Sequence, residues 1–238
     1  MINKFSIKYL NYRLHQLFYF QQIIKRKGFN FLIDKKIIPI YNLKGLITNF
    51  DNHELEEIYL INKYLYELNT LELGCSLGVS SLNIKKKIKD KKLISIDGNK
   101  KAIEYCLQNL KLNSKYEINF IHHIIFGENN FIINDENFLS SFSKITNSSS
   151  DEIKISCDFL NNIIINEEIK CLVIDVEGLE EIQLHKLNLE LIELIFVELH
   201  PAIYGKNNLK KIIQILNNHN FKIVENLNNN FFFKKFLN

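Results

Sequence analysis

From residue 54 onward the chain alternates short apolar runs with segments in which apolar positions recur every three or four residues. The runs at 70–73, 93–97, 118–126, 171–176 and 192–199 predict strands, and the segments at 79–89, 101–112, 179–186 and 207–218 predict helices. This alternation builds βαβ units, hence a parallel sheet covered by helices on both faces. The chain then closes with strand patterns at 221–225 and 231–236 around an Asn-rich turn. Strands joined that tightly are antiparallel, so the mostly parallel sheet ends in a hairpin. Between 127 and 158 the helical pattern is lost. There, 131–133 and 153–156 read as short strands around a polar run, an irregular insertion over one end of the sheet.

Ahead of this lies a helical stretch at 54–67, with Asp51 or Asn52 as its N-cap and acids in its first turn. A loop region near Pro39 and Gly45 precedes it. Further upstream, Ile7, Leu10, Leu14, Leu17, Phe18 and Ile24 recur at helical steps and predict a helix that stops at Gly28. No Asp or Glu occurs before Asp34, whereas Lys4, Lys8, Arg13, Lys25, Arg26 and Lys27 do. Two readings stand for this basic segment: a helix packed on the main domain with a solvated charged face, or an amphipathic helix in weak contact with an anionic membrane surface. The organisation expected is a helical extension at 1–50 and one domain at 51–238.

Composition narrows the classes. A chain of 238 residues that is 46% hydrophobic and 24% charged buries a core, and its 8 Gly and 2 Pro exclude collagen-like or linker-rich architecture. With 30 basic and 27 acidic residues the net charge is only +3, so no nucleic-acid partner is expected. Cys75, Cys106, Cys157 and Cys171 form no CxxC pair, which fits reduced buried thiols better than a disulfide frame or zinc site. No apolar run approaches the roughly 20 residues of a membrane span. The N-terminal stretch, broken by Asn11, Arg13, His15 and Gln16, has no signal-peptide core, so a cytoplasmic location is expected.

The segment from Leu71 to Ser81, Leu-Glu-Leu-Gly-Cys-Ser-Leu-Gly-Val-Ser-Ser, runs from strand through a glycine turn into helix. Glycines there let backbone N–H groups approach a ligand, and a helix N-terminus favours anionic or polar groups. The spacing is GxxxG, whereas a nicotinamide dinucleotide site is expected to show GxGxxG. Asp97 ends the next strand 19 residues after Gly78, close to the distance at which an acid binds ribose hydroxyls, so a nucleoside-containing ligand is implied. An Asp in that place also serves as a helix N-cap.

Four blocks in order resemble the FkbM-type methyltransferases, S-adenosylmethionine-dependent enzymes of the class I methyltransferase fold. They are Leu-Glu-Leu-Gly-Cys-Ser-Leu-Gly at 71–78; Ile-Ser-Ile-Asp at 94–97 before a helix bearing Asn109 and Asn113; Leu-Val-Ile-Asp-Val-Glu-Gly-Leu-Glu at 172–180; and Val-Glu-Leu-His-Pro at 197–201. The resemblance implies a Rossmann-like, doubly wound, seven-stranded sheet, here with an added N-terminal helix. It implies S-adenosylmethionine as cofactor, with Glu72, Gly74 and Gly78 cradling its methionine end, Asp97 on the ribose and His123 beside the adenine. Asp158 resembles the family's Asp before the fourth βα unit and is expected to cap the following turn.

Methyl transfer from a sulfonium is an in-line displacement that depends on positioning, but a hydroxyl acceptor also needs a base. Asp175 and Glu177 follow the fourth strand, and Glu198 and His200 follow the fifth. Side chains two apart on a strand share a face, so both pairs are expected to meet at one rim. Glu177 is the first choice for substrate positioning or base, and His200 the alternative, because imidazole titrates nearest neutral pH. The four together also have the donor types of a divalent-ion site, although the resemblance requires no metal. The acceptor expected is a hydroxyl on a small molecule or glycan. Two other readings stand beside this: a nicotinamide-dependent oxidoreductase, disfavoured by the GxxxG spacing, and a non-catalytic binding protein that retains the fold.

Overall fold

The computed structural model describes residues 21–34, 54–123, 132–133, 142–143 and 157–236. It opens on an antiparallel hairpin, β1 (Gln21–Arg26) and β2 (Phe29–Asp34), joined by Lys27 and Gly28 at φ 50° and 87°. Residues 21–24 of the expected helix are therefore strand, and residues 7–20 lie outside the described residues. The physical reason is local: a two-residue turn with both residues left-handed matches the twist of a hairpin. Phe29 and Phe31, two apart, then bury on one side of β2. Gly28 is a turn residue, not a helix stop.

The rest of the chain supplies α1 (Leu55–Tyr64), β3 (Thr70–Leu73), α2 (Val79–Ile88), β4 (Leu93–Asp97), α3 (Lys100–Leu112) and β5 (Asn119–His122). Two short strands follow, β6 (Ile132–Ile133) and β7 (Phe142–Ser143), which pair with each other. Then come α4 (Asp158–Asn166), β8 (Cys171–Ile174), α5 (Glu180–Lys186), β9 (Leu194–Glu198), α6 (Pro201–Tyr204), α7 (Lys206–Asn218), β10 (Phe221–Leu227) and β11 (Asn230–Lys235). The helix α4 was not anticipated; Cys157 is its N-cap and Asp158 its first residue. The strand expected at 153–156 lies outside the described residues, whereas the N-cap of α1 is Glu54, at φ 51°, and not the Asp51 or Asn52 expected.

Seven strands form one sheet in the order β5-β4-β3-β8-β9-β11-β10. All neighbours from β5 to β9 are parallel, and β11 is antiparallel to both β9 and β10. The parallel core with a terminal hairpin agrees with the sequence reading. Strand order reverses at β3, which pairs with β4 on one side and β8 on the other. In an open α/β sheet the crevice beyond the carboxyl ends at that reversal is where ligands bind.

Alternation along the strands fills two cores. Leu71, Leu73, Ile94 and Ile96 pack with Leu160, Ile164, Leu184, Ile212 and Leu216 on the face covered by α4, α5 and α7. On the opposite face Val173, Phe196 and Phe232 meet Ile58, Ile61, Leu82 and Tyr105 from α1, α2 and α3, joined by Phe29 and Phe31 of the hairpin. The rings of Tyr64, Phe232 and Phe196 stack in series, with centroids 4.4 and 4.7 Å apart, and lock β11 between α1 and β9. Among the described residues no helix is long and apolar enough to cross a membrane.

Candidate functional site

The glycine loop, residues 74–78, leaves the end of β3 and enters α2 with Gly78 as N-cap. Gly74 has φ 90°, and a Cβ on it would lie 1.7 Å from the Asp175 carbonyl oxygen, so only glycine lets β3 and β8 close at this rim. The Asp175 N–H donates to the Leu73 carbonyl across the same junction, at 2.9 Å. Glu72 lies beneath the loop. Its carboxylate is buried and accepts from the hydroxyls of Ser80 (2.5 Å), Ser81 (2.6 Å) and Ser95. Burial pushes Glu72 up to about 7, against the pull of those three hydroxyls.

Asp97 stands across the loop at the end of β4. One carboxylate oxygen accepts the Ser76 N–H at 2.9 Å and the other the Asn99 N–H at 2.8 Å. Each oxygen keeps further lone pairs for a ligand hydroxyl. Burial raises its pKa, and the backbone N–H groups of Asn99, Ser76 and Cys75 oppose that rise. On β5 and just after it the two histidines part: His122 is exposed, with Nε2 3.0 Å from the Gly98 carbonyl. The ring of His123 lies against Phe159, centroids 4.1 Å apart, and its buried Nε2 has no hydrogen-bond partner. Burial holds the His123 pKa below its ordinary value.

The four rim residues named from the sequence come together around one imidazole. His200 Nε2 lies 3.4 Å from Glu177 Oε2 and 3.9 Å from both Asp175 Oδ1 and Glu198 Oε1. On its other side, Nδ1 lies 2.7 Å from Oε1 of Glu180, whose side chain is wholly buried. That same oxygen accepts the Gly178 N–H at 2.9 Å. The His200 N–H donates to the Tyr204 hydroxyl oxygen at 2.8 Å, which fixes the backbone at the start of α6.

Electrostatics follow from this packing. Burial pulls His200 down, but the hydrogen bond and charge of Glu180, with Glu177 and Asp175 beside it, outweigh burial and hold it up at about 9. Glu177 and Glu198 are both raised by burial, with His200 as the main opposing influence. Asp175 is raised well above the usual carboxylate range by burial and by the neighbouring charges of Glu198 and Glu177. Its Oδ1 is buried without a hydrogen-bond partner. Asp175, Glu198 and His200 each offer a ligand atom within 4.8 Å of the others, an oxygen and nitrogen set suited to a divalent ion.

Three residues of this region were not singled out from the sequence. Glu180 was visible as the last residue of the Asp-Val-Glu-Gly-x-Glu block, but with no role. Phe159 carried no signal before α4 was known to place it. Glu57, on the first turn of α1, is 8% exposed and faces Glu54, Asp175, Glu72 and Glu198, and burial with those charges holds its carboxyl well above the usual range.

Comparison with known proteins adds a family and a fold. The FkbM methyltransferase domain matches residues 54–223. No curated protein matches the chain by sequence. A Streptococcus mutans structure described as a SAM-dependent methyltransferase superposes with a TM-score of 0.56 at 12% identity, over 90% of this chain and 55% of that one. This chain thus spans about half of that neighbour's length. M. jannaschii TYW2, solved in complex with AdoMet, aligns over 91% of this chain and 87% of its own at 12% identity and a TM-score of 0.46. A ribosomal protein L11 methylase from Lactobacillus delbrueckii subsp. bulgaricus aligns over 78% and 80%, at 12% identity and a TM-score of 0.47.

Proposed function

The chain belongs to the FkbM family of S-adenosylmethionine-dependent methyltransferases, and from that premise we propose that it methylates a hydroxyl oxygen on a small molecule or sugar. The residues at the glycine loop fit the cofactor. The glycine turn that opens α2 at Gly78 presents a helix N-terminus that suits the polar methionine end, and the free lone pairs of Asp97 suit ribose hydroxyls. The unpaired Nε2 of His123, with its ring on Phe159, suits a purine. Glu72, its carboxylate taken by three serines, serves as a positioning residue under the loop. When bound, S-adenosylmethionine supplies an electrophilic methyl carbon on a sulfonium.

The observation that carries the oxygen reading is the acid cluster around His200 at the same rim. A hydroxyl is a poor nucleophile until a base takes its proton. Glu177, raised by burial, is a stronger base than a solvated carboxylate and is the group we assign to accept that proton. His200, held protonated by Glu180, keeps Glu177 ionised from 3.4 Å away. Asp175 and Glu198 complete the wall of carboxyl groups that confines the imidazolium. Turnover then depends on holding the acceptor hydroxyl between Glu177 and the methyl carbon.

The test is release of S-adenosylhomocysteine from panels of hydroxylated and amine acceptors. At least one hydroxyl acceptor should turn over, and Glu177→Gln should slow it about a hundredfold or more while cofactor affinity stays within about twofold. Methylation of amines alone, or an undiminished rate in Glu177→Gln, would overturn the reading.

A further inference from the structure

Asn109 on α3 and Asn113, the residue that caps its C-terminus, lie four residues apart, and both turn toward the free edge of β2. Asn113 behaves as a neighbouring strand residue would: Oδ1 accepts the Asn30 N–H at 3.0 Å, and Nδ2 donates to the Asn30 carbonyl at 2.8 Å. The amide of Asn109 divides its two ends between different elements. Oδ1 accepts the Leu32 N–H of β2 at 2.8 Å, while Nδ2 donates to the Leu77 carbonyl of the glycine loop at 3.2 Å. Asn109 is 1% exposed, so losing either partner leaves a buried polar atom unpaired.

The Leu77 carbonyl shares a rigid peptide plane with the Gly78 N–H, which donates to the Cys75 carbonyl at 2.7 Å and closes the turn. Holding that carbonyl therefore sets the orientation of the turn that leads into α2. One turn earlier on α3, Cys106 Sγ contacts the Ser76 carbonyl at 3.3 Å, so the helix braces the loop at successive residues. Only half of this brace lies within the family's matched segment: residues 54–223 include Asn109 and the loop, and β2 falls outside.

We infer that Asn109 is a positioning residue through which docking of the β1–β2 hairpin sets the shape of the cofactor loop, and with it cofactor affinity. The inference rests on residues 74–78 being the cofactor loop.

The experiment is calorimetric titration of the full chain with S-adenosylhomocysteine, with melting temperatures recorded in parallel. Asn109→Ala removes both contacts. Leu32→Pro removes the hairpin's donor, at an outward-facing edge position where proline is tolerated, along with the packing of the Leu32 side chain on the core. Leu216→Ala, buried in the other core beneath α7, serves as a destabilised control remote from the loop. The first two should each weaken binding about tenfold, while Leu216→Ala lowers the melting temperature and leaves affinity within about twofold of wild type. Wild-type affinity in Leu32→Pro overturns the coupling whatever Asn109→Ala does, and so does affinity loss that tracks melting temperature across all three variants. Failure of the wild type to bind would instead remove the cofactor reading on which the inference rests.

Discussion

His200 is held between one fully buried carboxylate on Nδ1 and three partly buried ones around Nε2, so its charge and theirs depend on one another. Two titrations should frame activity. A base must be unprotonated, so kcat/KM should rise with pH as Glu177 ionises, at a pH above that of an ordinary carboxylate because burial raises it. The imidazolium also orients the Glu177 carboxylate from 3.4 Å, so the rate should fall again as pH passes about 9 and that ion pair loses its cation. A pH–rate profile of the wild type should be bell-shaped, and His200→Gln should lack the falling limb. Asp175, Glu177, Glu198 and His200 were legible because each sits at the last residue of a readable strand or within three residues past it. Glu180 was not. It reaches His200 because Glu177 and Gly178 both take positive φ, 50° and 104°, and turn the chain back under the ring. A left-handed glutamate has no sequence signature.

At the scale of elements, the strands and helices from β3 to β11 follow the apolar pattern closely, and the departures have physical causes. Over residues 21–24 a short apolar spacing fits a period of 3.6 or of 2, and the Lys27–Gly28 turn with Phe29 and Phe31 beyond it decides for strand. In α4 the run Asp-Phe-Leu-Asn-Asn-Ile-Ile-Ile-Asn is poor in strong helix formers. Burial of Leu160 and Ile164, four apart, overrides that preference. The terminal hairpin depends on the ring series of Tyr64, Phe232 and Phe196. Phe232→Ala should cost roughly 3–5 kcal/mol in a denaturant melt, because a buried ring leaves a gap between two stacked neighbours; a loss below about 1 kcal/mol would show that β11 is held by its ladder alone.

For the molecule as a whole, the alternation of strand and helix was enough to expect a parallel sheet, but alternation says nothing of which strands become neighbours. The placement of β3 between β4 and β8 brings the glycine loop, Asp97 and the His200 cluster to one rim. A ligand that bridges loop and rim should stiffen the whole sheet. S-adenosylmethionine or S-adenosylhomocysteine at a hundred times its dissociation constant should raise stability by about 2.7 kcal/mol, read as a higher melting temperature. The nicotinamide dinucleotide should leave it unmoved, and the opposite pattern would overturn the cofactor.

The docking of β2 on α3 also orders events during synthesis. The hairpin leaves the ribosome before the asparagines that receive it, 77 and 83 residues further along. A lone two-stranded hairpin is marginal in water. The glycine loop is translated between the two, so a nascent chain acquires a fastened loop only once α3 has emerged and folded back. The brace on the loop therefore cannot form before residue 113 has been made, and shorter chains carry the loop's residues without it.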